Sequence, residues 1–333
     1  MNKFIVITSI FNPTQAVLEF SRKPGYHLIV VGDKKTPVSW QCDNVDYVSV
    51  LQQEKSDFNL ARILPYQHYC RKMLGYLKAI QSGADYIVDT DDDNIPKDNW
   101  EFPEFQGTFD CIADDLGFVN IYQLYTDQGI WARGLPLKLI TTQFKLEKQI
   151  SEKVCNVGVW QGLADEDPDV DAIYRLTKDT PCYFDERAPV VLGTGTISPF
   201  NSQNTIFRKE LFALMYLPAY VTFRFTDILR GLVAQPIMWL FDYQLGFCNA
   251  TVTQKRNPHD YMKDFISEIP MYTYSQEVIE LVSNSISKSE SIESNLYNAY
   301  NSLFKENIVC DKEMETLDIW LKDIDKLSRL SRC

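Results

Sequence analysis

Two short runs of aliphatic and β-branched residues, Phe4–Ile10 and His27–Val31, constrain the fold of this chain more than any other feature. Neither run alternates apolar with polar residues. Both faces of each strand must therefore be covered, as in a parallel sheet with helices on either side. Between these runs the period changes: Thr14–Arg22 and Tyr66–Ser82 have helical spacing, with Leu74, Leu77 and Ile80 on one stripe. Val45–Val50 and Tyr86–Val88 read as further strands. Strands alternating with helices predict an α/β fold with a mainly parallel central sheet, in which ligands bind at the carboxyl ends of strands. From Glu101 to Gln143 the pattern is less regular, Thr205–Leu217 reads as a strand or helix edge, and Asp227–Leu240 reads as a helix. Ser275–Cys333 contains no glycine or proline and predicts a C-terminal appendage of two or three helices.

Composition narrows the partners. A net charge of -12 argues against a duplex-binding protein, which needs a cationic footprint. The eight cysteines, at 42, 70, 111, 155, 182, 248, 310 and 333, show neither CxxC spacing nor a zinc-like pattern beside histidine. They read as reduced, buried thiols and predict a cytoplasmic setting. MNKFIVITSIF reads as a first strand, not a secretory leader. The best apolar run, Leu211–Phe223, is short and contains Pro218, so any membrane association is expected to be peripheral.

The chemistry concentrates in Asp89-Thr90-Asp91-Asp92-Asp93-Asn94, which begins where a buried strand ends. Carboxylates one residue apart can aim at one hard cation, and such a cation neutralises a diphosphate as it leaves a sugar. A solvated acidic turn is the plain alternative. Four aspartates within five positions after a strand favour a metal and nucleotide site. Upstream, Arg71 and Lys72 can meet phosphates or base carbonyls, or simply face solvent. Asp33, after the second strand, can hold a ribose or base edge.

Several segments together resemble one family: Val31–Pro37 (VGDKKTP), Arg71–Leu77 (RKMLGYL), Asp89–Asn94, Trp131–Leu137 (WARGLPL), Gln161–Ala172 (QGLADEDPDVDA), Asn201–Thr205 (NSQNT), Arg224–Gly231 (RFTDILRG) and Gln254–Asp260 (QKRNPHD). They resemble the STELLO-type glycosyltransferase-like proteins, distantly similar to the reversibly glycosylated polypeptides, the UDP-arabinopyranose mutases. The resemblance spans roughly residues 4 to 273. Plant members of the family reside in the Golgi on a membrane anchor. No anchor is read in this chain, so that location is not carried over. The resemblance implies a GT-A-like αβα sandwich over residues 1–273, with a nucleotide-sugar half to about residue 125 and an acceptor half over about 126–273, followed by the helical extension 274–333. It implies Mn²⁺ or Mg²⁺ on Asp91 and Asp93, with His259 completing the metal shell; an ordinary surface histidine is the alternative. The nucleotide sugar would be met by Thr8, Ser9, Asp33, Lys35, Arg71, Lys72, Asp91, Asp92, Asp93, Asn201 and Gln203.

Many inverting GT-A enzymes carry a carboxylate at the start of an acceptor-side helix as general base. Asp227 fits that position, and helix capping is compatible with it. Asp165, Asp167, Asp169 and Asp171 form a second acidic cluster, read as a structural loop or acceptor contact. Trp160 and Trp239 can stack on sugar rings or be buried. The function expected is an inverting, metal-dependent transferase that moves a sugar from a nucleotide sugar, UDP by family, to a saccharide, a lipid-linked saccharide or another acceptor in glycan synthesis. The competing readings are a pyranose–furanose mutase of free UDP-sugar and a non-catalytic scaffold. Nucleic acid is excluded as a partner except for a modified-DNA acceptor, and the C-terminal helices can dimerise the chain or simply pack on it.

Overall fold

The computed structural model describes residues 1–256 and 259–330, the side chain of residue 330 excepted. Asn257 and Pro258 of the last motif, and Cys333, lie outside the described residues. The first third of the chain folds as its periodicity predicts. Strand β1 (Lys3–Ser9) leads to helix α1 (Gln15–Phe20), β2 (Tyr26–Gly32) and β3 (Val45–Val48). Ser49 then closes a capping box with Gln52 on a short helix that periodicity did not reveal, α2 (Val50–Glu54). Helix α3 (Lys72–Gln81) crosses back to β4 (Tyr86–Thr90), which takes in Asp89 and Thr90. β1 lies between β2 and β4, all parallel, and β3 extends the edge beyond β2. Gly75 lets α3 lie against this sheet, because a Cβ there would stand 2.5 Å from Val6 and 2.9 Å from Val31.

The remainder corrects the expectation of a mainly parallel sheet. After β5 (Asn94–Pro96), β6 (Gln106–Ile112) and β7 (Gly117–Phe118) comes β8 (Ile150–Glu166), a 17-residue strand that absorbs Gly162–Glu166 of the expected acidic loop. Helix α4 (Ala172–Thr177), β9 (Val190–Leu192), β10 (Thr196–Ile197) and β11 (Asn204–Arg208) follow. α5 (Thr226–Leu240) and β12 (Gln244–Gln254) complete a ten-stranded mixed sheet of order β3-β2-β1-β4-β11-β8-β6-β9-β12-β5. β11 runs antiparallel to both β4 and β8, whereas β8 and β12 are parallel. The reason lies in the connections. Parallel neighbours need crossovers of a dozen residues or more, usually helical. Between β4 and β11 the described residues supply one six-residue α-helix and short 3₁₀ turns. The α/β class and a broadly GT-A-like layering hold; the mainly parallel sheet does not.

Three helices end the chain: α6 (Tyr261–Ser285), α7 (Ile292–Lys305) and α8 (Asp311–Leu330). The boundary expected at 273/274 falls inside α6. Val282, Leu296, Tyr300 and Trp320 join the same apolar core as Val6, Val31 and Met73. Glu313 is fully buried, accepts from the Tyr216 hydroxyl, and takes the backbone N–H groups of Ala219 (3.1 Å) and Tyr220 (2.7 Å). Asp323 in α8 accepts the backbone N–H of Leu60 at 2.9 Å. Replacing Glu313 by alanine orphans three buried donors, so the unfolding free energy should fall by about 3 kcal/mol in urea titration. A change below about 1 kcal/mol would mean that water replaces the carboxylate there.

Among the described residues no helix is long and apolar enough to cross a membrane. The seven cysteines within them are all free, with Cys70, Cys111, Cys155, Cys182 and Cys248 buried and Cys310 exposed.

Candidate active site

Strand directions decide where the motifs meet. β1, β2 and β4 end on one side of the sheet; antiparallel β11 begins there, and β8 and β12 end there. A cleft of about 330 Å³ opens on that side. It gathers Thr8, Ser9, Asp33, Lys35 and Arg71 on one wall, Asp91, Asp92 and Asp93 on the floor, and Asn201, Gln203, Asp227 and His259 on the other wall. Every site residue expected from the sequence therefore lines it except Lys72.

Lys72 lies beneath the acidic run, fully buried. Its Nζ is 2.9 Å from Asp89 Oδ1 and 2.7 Å from Asp91 Oδ1, and it donates to the Thr90 carbonyl at 2.8 Å. It thus acts on a ligand through Asp91. Burial alone would depress its pKa, but Asp89 and Asp91 outweigh that and hold it charged, raised above the usual lysine range. Asp89 is bound from the other side by Arg230 NH1 of α5 at 2.6 Å, which makes it a strand-end support.

The three following aspartates are crowded. Burial, with Asp93 and Asp89 as like-charged neighbours, pushes Asp91 up to about 7 against the opposing pull of Lys72. Burial pushes Asp92 and Asp93 each to about 6, with Asp91 and Asp92 respectively adding to the effect. Ser9 donates its hydroxyl to Asp92, and Gln254 Nε2 reaches Asp93 Oδ2 at 3.2 Å. Three carboxylates that resist ionising side by side form a floor that a cation would relieve. The third expected ligand is engaged elsewhere: His259 Nδ1 contacts Asp264 Oδ2 at 2.9 Å. Among the described residues no group of three or more His, Cys, Asp or Glu side chains converges on a metal-sized site. Of the expected ligands only Asp91 and Asp93 lie together on the cleft floor.

Asp227 is in the cleft wall but poorly suited to the general-base role expected for it. Arg133 NH2 donates to both its oxygens, at 3.0 and 2.9 Å, and the Tyr69 hydroxyl and Ser202 N–H add bonds of 3.2 and 3.3 Å. Burial favours its neutral form, but Arg133 overrides this and holds the carboxyl down at about 2. A base that weak contributes little to deprotonating a hydroxyl near neutral pH. Its expected capping duty is also absent: Phe225 is the N-cap of α5, and Asp227 lies in the first turn.

The second acidic cluster is held in ion pairs and a helix cap, and its Asp169 also lines the cleft. Asp165 pairs with Lys97, Asp167 with Arg175, and Asp169 with Arg133, while Asp171 caps α4 and accepts from Trp131. Asn201 and Gln203 line the cleft with partly committed side chains, the Asn201 oxygen accepting Gln203 N–H at 2.9 Å. The sugar-stacking expectation for Trp160 and Trp239 is not met, because neither lines the cleft; Trp160 is buried in one apolar cluster and Trp239 packs against the other.

The sequence reading passed over the aromatic wall. His68 stacks on Tyr69 at 5.2 Å in the cleft wall, Phe223 meets both rings edge-on at 5.1 and 4.8 Å, and Phe11 stands half exposed at its mouth. Burial pushes His68 down to about 4, so it is neutral. Its Nδ1 accepts from Cys70 N–H, which leaves the proton on Nε2, where no partner is found. Arg71 lies flat on Tyr66 and bonds Gln53 and the Leu64 carbonyl, with NH2 unpartnered. Arg133, Arg224, Gln254 and Arg256 also line the cleft. All four lie in segments that carried the family resemblance, where they had no chemical role assigned to them.

Fold and cleft together define an α/β protein with a carboxylate floor at the strand ends, facing guanidinium groups. Comparison with known proteins sharpens this. A sequence model described as STELLO glycosyltransferases matches residues 224–330, which takes in α6 to α8 beyond the span that carried the resemblance. "Probable glycosyltransferase STELLO1" of Arabidopsis thaliana is 25% identical over 346 residues, covering 97% of this chain and 44% of the relative. "Probable glycosyltransferase STELLO2" of the same plant is 28% identical over 259 residues, covering 71% of this chain and 34% of the relative. The chain thus spans less than half the length of the curated relatives it matches. The resemblance read from the motifs is borne out: the chain is similar to STELLO-type glycosyltransferases.

Proposed function

We propose that this chain is a glycosyltransferase that uses a nucleoside-diphosphate sugar, with the diphosphate over Asp91–Asp93 and the nucleoside toward Asp33 and Arg71. One observation carries the reading: three adjacent carboxylates at a strand end line a cleft that arginines also line. Asp91 and Asp93 would hold Mn²⁺ or Mg²⁺, which supplies Lewis-acid charge to the diphosphate. Thr8, Ser9 and Lys35 suit the phosphate and ribose side by position. Phe11 and Phe223 offer apolar faces to a sugar ring. Asp227, locked by Arg133, fixes the acceptor wall instead of moving a proton.

That lock also favours one second reading. A pyranose–furanose mutase acting on the free nucleotide sugar needs no acceptor base, and no unlocked carboxylate heads α5. Product analysis separates the two: a mutase interconverts ring forms with no transferred sugar.

The test is calorimetry and thermal shift against a panel of nucleotide sugars, with and without Mn²⁺, at pH 5.5 and 7.5. A donor should bind with Mn²⁺ and bind more tightly at the higher pH, where the floor carboxylates are ionised. The sign for the metal-free protein is opposite. Carboxylates raised above their unfolded value of 3.8 make the native state hold more protons, so stability should fall as pH rises between about 4 and 7. If no nucleotide sugar binds under any condition, the reading fails.

A further inference from the structure

Two arginines beside the acidic floor, Arg224 and Arg256, differ from Arg133, whose guanidinium is fully committed. Arg133 grips Asp169 at 2.7 and 2.8 Å as well as Asp227. Arg224 and Arg256 are also largely buried and line the cleft, yet their guanidinium tips have only loose partners. Arg224 is fixed by its stem: its N–H donates to Ser267 Oγ (3.1 Å), its Nε to the fully buried Glu268 (3.0 Å), and its carbonyl accepts from Arg133. Its NH2 stands 3.7 Å from Asp169. Arg256 NH2 stands 3.5 Å from Asp264, a carboxylate that it shares with His259. Burial pushes the Arg256 guanidinium down from its usual value, and the charges of Arg224 and Arg175 add to this. Arg256 has no counter-ion closer than 3.5 Å, and desolvating such a guanidinium is costly; an anion between its tip and the terminal nitrogens of Arg224 would remove the cost.

The position of that anion follows from β12. Gln254 bonds Asp93, Lys255 N–H donates to the Asp93 carbonyl at 3.0 Å, and Arg256 is the next residue. We infer that Arg224 and Arg256 bind the sugar-linked phosphate of the nucleotide-sugar donor and stabilise it as the leaving group. This rests on the transferase reading above. In the transfer step the bond between the anomeric carbon and the phosphate oxygen breaks, and its electron pair stays on that oxygen. The acceptor oxygen bonds to the anomeric carbon, and its proton is released to water. Charge on the phosphate oxygen grows toward the transition state, where fixed guanidinium donors act without reorganising.

The test uses Arg256→Gln and Arg224→Gln in the full chain, with UDP and UMP as probes by calorimetry in Mn²⁺, followed by turnover. Arg256→Gln should weaken UDP by about tenfold and UMP by less than about twofold, since only UDP carries the second phosphate. Turnover should fall about 100-fold with little change in donor KM. Equal losses for UDP and UMP would overturn the assignment. So would unchanged UDP affinity with a raised acceptor KM, which would make the arginines an acceptor site. Arg224→Gln releases Glu268, so if it lowers the melting midpoint, Arg256→Gln carries the test alone. A wild-type chain that binds neither UDP nor GDP instead defeats the transferase reading itself.

Discussion

Asp89→Asn should cost about 4 kcal/mol of folding free energy, a larger loss than any other single neutralisation in this chain. Among the described residues Asp89 is the one carboxylate held between two fully buried cations, Lys72 at 2.9 Å and Arg230 at 2.6 Å. Those two residues come from α3 and α5, helices that share one apolar core, and both reach this carboxylate near the end of β4. Asparagine preserves the volume, so the cost isolates charge: two buried cations would be left with Asp91 as their nearby acid. Removing one partner of a buried ion pair is far more damaging than the pair is stabilising, because the survivors stay desolvated. A chain of this size should melt about 10 °C lower by calorimetry. A shift under about 2 °C would show that water reaches the trio and screens it.

Asp93→Asn should do the reverse to stability and abolish most turnover. Its contacts are to the neutral Gln254, while Asp92 beside it repels its charge. Neutralising it relieves that crowding, so the metal-free protein should be as stable as the parent, or more so, at pH 7.5. The same change removes half of the proposed cation site. Transfer from the nucleotide sugar should fall about 1,000-fold, and the Mn²⁺-dependent thermal shift should vanish. Asp91→Asn should lose both activity and stability, because Asp91 also neutralises Lys72 at 2.7 Å. This contrast between neighbours is the informative result. Equal stability losses in both variants would mean that the acidic run is a purely structural knot.

Local pattern carried the first four strands to within about two residues, because each is short, apolar on both faces and closed by polar turns; α3 was found too, but it begins at Lys72, six residues after the expected start at Tyr66. The same residues placed the acidic run at a strand end, and the cleft confirms that location. What periodicity could not carry was strand direction. β8, with its exposed start and buried end, serves three neighbours at once, and nothing local encodes that. Residue type also misled at Asp227: an aspartate heading a helix has a base's position, but its strength depends on Arg133, 94 positions away in sequence. Lys72 was misplaced for a similar reason, since a cation beside Arg71 reads as exposed until burial pairs it with Asp89. His68 carried no signal at all, because its neutrality comes from aromatic neighbours as distant as Phe223.

Asp323 and Glu313 have a consequence for biosynthesis. A growing chain exposes β1, β2 and β4 early, so the nucleotide side of the cleft is on hand long before translation ends. Yet the N–H of Leu60 waits for a carboxylate 263 residues further along, and the turn from Tyr216 to Tyr220 waits for Glu313. That turn leads directly into Phe223 and Arg224, the wall opposite the acidic floor. A nascent chain should therefore set its acidic floor before the opposite wall of the cleft, and that wall should settle only once α8 is delivered.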